Sequence, residues 1–201
     1  MPLKRDRYHH GELKPALVDA AVEVLTERGV RNFSLAEVSR RLGVTTAAPY
    51  RHFTDREDLL AAVAARALSA FTEMLAADVA QAGDTPEDRL AASAGAYVRF
   101  AARQRPLFDT IFNSGLDKSR HPELQRAWEP IDALLAVVVE VCKGDEAVAA
   151  ALSDAVEANA HGYAMLFIDG EYGVGDAAVD AACAKAVGAA RALIAGREAL
   201  M

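Results

Sequence analysis

Residues 34–60, SLAEVSRRLGVTTAAPYRHFTDREDLL, constrain the fold of this chain more than any other stretch. Leu35, Val38 and Leu42 recur at helical spacing, so one face of a short helix is apolar while Arg40 and Arg41 lie off it. Ser34 followed by Glu37 reads as a capping box, the serine accepting from the residue-37 amide and the glutamate reaching back. Gly43 can take the left-handed conformation that stops this helix. Thr45 is placed to cap a second short helix running through Tyr50 and Phe53, and Asp55 to cap a third with Glu57 and Asp58 in its first turn. Helix, tight turn and second helix at this spacing make a helix-turn-helix.

The order L-A-E-V-S-R-R-L-G-V-T, then Y-R-H-F, then D-R-E-D-L-L resembles the DNA-binding region of TetR/AcrR-type transcriptional regulators. The aromatic pair Tyr50 and Phe53, the polar turn after it, Arg56 and the acidic-leucine pair are the distinctive part. Further on, Y-V-R-F-A at 97–101, R-P-L-F at 105–108, H-P-E-L at 121–124 and A-H-G at 160–162 are similar to one subgroup, which carries a His-Gly in its penultimate helix. The resemblance is strong over 13–62 and moderate beyond.

Composition fits an all-α chain: alanine dominates, leucine and valine follow, and strict apolar/polar alternation is absent. The net charge of −7 is uneven. Residues 1–60 hold 10 Lys+Arg against 9 Asp+Glu, a balance of +1, and residues 61–201 hold 12 against 20, a balance of −8. The early positive charge clusters at Lys4, Arg5 and Arg7 and around the motif, as a nucleic-acid reader on an acidic protein requires. Cys142 and Cys183 stand alone without ligand spacing and read as small core residues. No apolar leader opens the sequence, and the run Leu134–Val139 is too short to cross a membrane, so a cytoplasmic location is expected.

Helices are expected from about Leu13 to Gly29, Asp55 to Gln81, Pro86 past Phe100, a short one from Pro106, one over 121–143 kinked by Pro130, then 145–169 and 176–197. Residues 113–120 read as a loop. The division is an arm and DNA-binding domain over 1–60, followed by a helical ligand-binding and dimerisation domain over 61–201.

The helix Thr45–His52 is expected to enter the major groove of double-stranded DNA, with Thr45, Thr46, Ala47 and Ala48 toward the bases. None of these forms the bidentate pairs of arginine with guanine or asparagine with adenine, so methyl contacts and DNA shape are expected to carry specificity. Tyr50, Arg51 and His52 read as phosphate contacts, with the tyrosine and the residue two after it being the positions the resemblance implies. Arg40, Arg41 and Ser34 are further phosphate candidates. One such element covers few base pairs, so a homodimer on a pseudo-palindrome is expected. The last two helices suit it: Ala147, Ala150, Ala151, Ala155, Ala158, Ala160 and Gly162 in one, Ala181, Ala182, Ala186, Gly188, Ala189 and Ala192 in the other.

An effector pocket is sought among Tyr97, Phe100, Phe108, Phe112, Trp128 and Met165, with Arg103, Asn159 and His161 as polar candidates that would need a partner if buried. No nucleophile elbow, paired histidine ligands or phosphate-binding glycine loop occurs, so neither an enzyme nor a cofactor is expected. The resulting expectation is a small-molecule-responsive repressor. An activator of the same fold, or a helical binding module without DNA, is the alternative.

Overall fold

The computed structural model describes residues 12–132 and 134–201; Lys4, Arg5, Arg7, His9 and His10 lie outside them. The described residues form helices and turns without a strand: α1 (Leu13–Arg28), α2 (Leu35–Leu42), α3 (Arg56–Ala80), α4 (Pro86–Arg103), α5 (Arg105–Phe112), α6 (Pro122–Asp132), α7 (Leu134–Val141), α8 (Glu146–Ile168) and α9 (Asp176–Ala195). They group into two compact units. One comprises residues up to Leu68 with Pro106–Ala127, the other Ser69–Arg105 with Trp128–Met201.

The first unit is built on one apolar cluster. Leu17, Ala21, Val24 and Leu25 of α1 meet Val38 of α2 and Leu59, Leu60 and Val63 of α3, with Phe33 and Phe53 filling the corners. Each of these is at most 3% exposed, and burying a side chain of leucine or phenylalanine size stabilises by roughly 1.5–3 kcal/mol. Leu107 and Leu116 pack against the same cluster, which brings α5 and the loop after it into this unit.

In the second unit α4, α8 and α9 pack on one another. Ala91, Ala94 and Val98 of α4, Leu152, Ala160 and Ala164 of α8, and Ala182, Ala186 and Ala190 of α9 are nearly or fully buried. Small residues let the helices approach closely, as at Gly95 of α4. A Cβ there would stand 2.8 Å from Val187 Cγ2. Phe71 adds an aromatic centre, 5.6 Å from Tyr97 edge-to-face and 5.0 Å from Phe100. Thr85 caps α4 by accepting from the Asp88 amide at 3.1 Å, and its hydroxyl donates to Asp88 Oδ2 at 2.8 Å. Cys142 and Cys183 are both buried, as expected of core residues.

α3 is long and apolar enough to cross a membrane by length and composition alone. Its Leu59, Leu60, Val63 and Leu68, however, are fully buried inside the protein. Of the helix expected over 121–143, Pro122–Asp132 and Leu134–Val141 are described as helical, with Pro130 inside the first stretch. Proline has no N–H to offer the carbonyl of Arg126, so one backbone bond is missing there.

Candidate nucleic-acid interface

α2 is fixed at both ends by its own sequence. Ser34 Oγ accepts from the Glu37 amide at 3.3 Å, which is one half of the expected capping box. The other half does not form. The Glu37 carboxylate accepts from Arg40 Nε at 3.0 Å and Nη2 at 2.5 Å, and Arg28 Nη2 lies 3.1 Å away. Two guanidiniums outcompete a backbone amide for a carboxylate, and the bond from Arg40, more than any other effect, holds the Glu37 pKa below its ordinary value. At the C-terminal end Gly43 sits at φ 67°, ψ 26°, and the Val44 amide returns to the Ser39 carbonyl at 3.0 Å.

The two arginines of α2 have different surroundings. Arg40 keeps a side chain 68% exposed. Arg41 turns back onto α1, where Nη1 donates to Glu27 at 2.8 Å and to Glu23 at 3.3 Å, leaving its side chain 21% exposed. Bonding to Glu27 raises its pKa further above the ordinary arginine value. Arg41 therefore joins α1 to α2, and of the pair Arg40 is the one open to an external phosphate. Arg56, part of the distinctive pattern of the motif, is structural. It donates from Nε to the Phe33 carbonyl at 3.1 Å and from Nη2 to the Val30 carbonyl at 2.6 Å, with its guanidinium 5.7 Å above the Phe33 ring.

The helix expected over Thr45–His52 is replaced by tight turns. The Ala48 amide donates to the Thr45 carbonyl at 2.9 Å, and a single 3-10 turn spans Pro49–Arg51. The cause is Pro49. It has no N–H for the carbonyl of Thr45, and its ring would crowd that carbonyl in an α-helix. Pro49 is buried and anchors the segment, whereas Thr45, Thr46 and Ala47 are exposed and Ala48 is half-buried. Tyr50 is 60% exposed. Arg51 is exposed, His52 half-buried and Phe53 buried. Thr45, Thr46, Tyr50 and Arg51 are thus grouped on one short exposed segment, and their side chains make no hydrogen bond or ion pair among the described residues.

The effector candidates are divided between the two units. Phe108 and Phe112, with rings 4.9 Å apart, belong to the first unit. Tyr97, Phe100, Arg103, Trp128, Asn159, His161 and Met165 belong to the second. There, Tyr97 Oη and His161 Nδ1 are 2.9 Å apart. Burial, helped by the charge of Glu157, pushes the Tyr97 phenol well above its ordinary pKa. Arg103 is exposed, contrary to the possibility that it is buried and in need of a partner. Asn159 has its partner within the protein: Nδ2 donates to the Ala186 carbonyl of α9 at 3.1 Å. Trp128 and Met165 are half-buried.

Of the small residues on the last two helices, Ala147, Ala150, Ala158 and Gly162 of α8 and Ala181, Gly188 and Ala192 of α9 are exposed. Ala160, Ala182 and Ala186 face inward and are absorbed by packing within the unit.

Two family models match the chain. One, for bacterial regulatory proteins of the tetR family, matches residues 17–63, and a tetracyclin repressor-like C-terminal domain matches residues 90–190. The HTH-type transcriptional repressor BepR of Brucella suis biovar 1 is 35% identical over 65 residues, covering 32% of this chain and 31% of that protein. The chain thus matches about a third of that relative's length. Among solved structures, a protein with unknown function from Rhodococcus sp. RHA1 superposes with a TM-score of 0.74 at 29% identity, covering 94% of this chain and 98% of that one. RolR in complex with the ligand resorcinol shares the fold, with a TM-score of 0.61 at 20% identity and coverage of 92% and 93%.

Proposed function

We propose that this chain, which belongs to the tetR family of bacterial regulatory proteins, is a transcriptional repressor that a small molecule releases from a palindromic operator. One observation carries the reading. The helical core of the first unit carries an exposed segment whose Thr45, Thr46, Tyr50 and Arg51 side chains make no hydrogen bond or ion pair among the described residues. The methyl and hydroxyl groups of Thr45, Thr46 and Ala47 face the base edges, where threonine and alanine suit thymine methyls. Tyr50, Arg51, His52 and Arg40 hold phosphates, with Ser34 at the start of α2 beside them. Residues 1–60 form the DNA-binding part, and residues 61–201 sense the effector and dimerise.

The operator is two-fold because one reading element spans too few base pairs. The exposed small residues of α8 and α9 form the dimer face, allowing helices of two copies to approach closely. The effector site is centred on Tyr97 and His161, a hydrogen-bonded polar pair beside the rings of Phe71 and Phe100. An effector that favours one conformation of the sensor shifts the population away from the DNA-binding one. Repression is favoured over activation by the relative named a repressor. The cytoplasm is where such a protein meets its operator.

Capture of fragmented genomic DNA by the purified chain over a salt series tests the proposal. An enriched inverted repeat whose affinity falls steeply with salt is expected. A folded, dimeric protein that enriches no sequence refutes it.

A further inference from the structure

A cavity of about 390 Å³ lies entirely within the first unit, between the starts of α1, α3 and α6 and the turn that carries His52. Small-molecule sites run from roughly 300 to 1,000 Å³, with mostly apolar walls and a few polar groups. Here Phe53, Ala61, Ala62 and Pro122 form the apolar wall. Most charged groups around it are already paired. Lys14 Nζ donates to Glu123 at 3.0 Å, and Asp58 accepts from the Thr54 amide at 3.0 Å and from its hydroxyl at 3.2 Å.

Three groups are left over, one of them the half-buried His52 ring, which makes no hydrogen bond or ion pair among the described residues. Arg126 brings an exposed guanidinium that makes no ion pair or hydrogen bond among the described residues. His121 has a side chain only 13% exposed, and its Nε2 is buried without a hydrogen-bond partner. A buried polar atom in that state costs stability until something bonds to it. Its Nδ1 stands 3.8 Å from Asp58 Oδ1, beyond hydrogen-bond reach, so Nε2 is not the only ring nitrogen without a bond. No group of three His, Cys, Asp or Glu among the described residues could hold a metal ion. The remaining chemistry is one unpaired cation, one orphaned ring nitrogen of His121 and the His52 ring beside an apolar wall.

We propose that this cavity binds a small organic anion, a monocarboxylate with an apolar body. The carboxylate accepts from Arg126 and His121, and the body lies against Phe53, Ala61 and Ala62. His52 is part of the wall and follows directly on the exposed Arg51, so occupancy bears on the DNA-reading turn from within its own unit. The site is separate from the Tyr97–His161 pair of the other unit, and its occupancy can be measured without DNA.

Sodium benzoate, titrated into the full chain and followed through the histidine ring C–H resonances by NMR, is the test, with benzamide as the neutral isostere. Expected are saturable shifts of His52 and His121, at least tenfold weaker binding of benzamide, and at least tenfold weaker benzoate binding by R126Q. R126K retains affinity within a few-fold. Arg126 is exposed, so both variants keep the parent melting temperature and far-UV circular dichroism. Absence of saturation, equal response to benzamide, indifference to R126Q, or shifts confined to His161 would each overturn the proposal.

Discussion

Replacing Arg56 with alanine removes the tie between α3 and the turn that leads into α2. Two bonds are lost, to the Phe33 carbonyl at 3.1 Å and to the Val30 carbonyl at 2.6 Å, together with the contact above the Phe33 ring. A hydrogen bond to a charged group contributes about 1.5–3 kcal/mol when well shielded. These are part-buried, so each falls at or below the low end of that range, and the ring contact adds about 0.5 kcal/mol. The loss for Arg56→Ala is then about 2–3 kcal/mol, a factor of roughly 30–150 in the folding equilibrium. For a chain of this size that corresponds to a fall of about 5–10 °C in melting temperature. Arg56→Lys keeps the charge but cannot span both carbonyls, and should lose about half as much. Urea unfolding by circular dichroism measures the total, and native-state hydrogen exchange of the α2 amides shows where it acts. If Arg56→Ala stayed within about 0.5 kcal/mol of the parent, or left exchange in α2 unchanged, the assignment of Arg56 as a tie would be wrong.

Tyr97→Phe deletes one half of the Tyr97–His161 bond and should cost about 1 kcal/mol in thermal or urea unfolding. Burial raises the folded pKa of the Tyr97 phenol above its unfolded value near 10, so its contribution is fully present below pH ~10 and is lost as pH rises beyond it. Absorbance at alkaline pH should accordingly show this tyrosinate appearing only as the protein unfolds. Gly43→Ala forces a Cβ into the left-handed region at φ 67° and should cost about 1 kcal/mol by urea unfolding, although a Cβ would meet nothing within 4 Å. Arg51→Ala should leave stability within about 0.5 kcal/mol while reducing the salt dependence of operator binding by about one phosphate contact, measurable by fluorescence anisotropy across ionic strength.

The parts of the fold that sequence reveals are those set by neighbours in the chain. Leu17, Val24, Leu35 and Val38 announce their burial through spacing, Gly43 through its place after a periodic run, and Asp55 through the helix that follows. What escapes is decided by distant partners. Arg41 finds Glu27 fourteen residues back and Arg56 finds Val30 twenty-six back, so neither role is visible locally. The grouping of 106–127 with the first unit depends on Leu107 and Leu116 meeting a core made by residues far earlier. The cavity is assembled from three separated stretches, and its walls consist of residues that each look ordinary in isolation. In the reading segment Pro49 is visible in the sequence, and its effect depends on the length of the element around it. A helix of eight residues has too few bonds to absorb the loss of one.

That buried proline also shapes how the chain can change over generations. In a reading helix, each base-facing residue also contributes its helix propensity to the same element, so a change of target carries a folding cost. Here the segment is anchored by Pro49 and Phe53 from beneath, and Thr45, Thr46 and Ala47 stand exposed on a turn. On the proposed base contacts, substitutions at these three exposed positions alter which sequence is read with little effect on whether the protein folds. Target choice and structural integrity are therefore open to selection almost independently of each other.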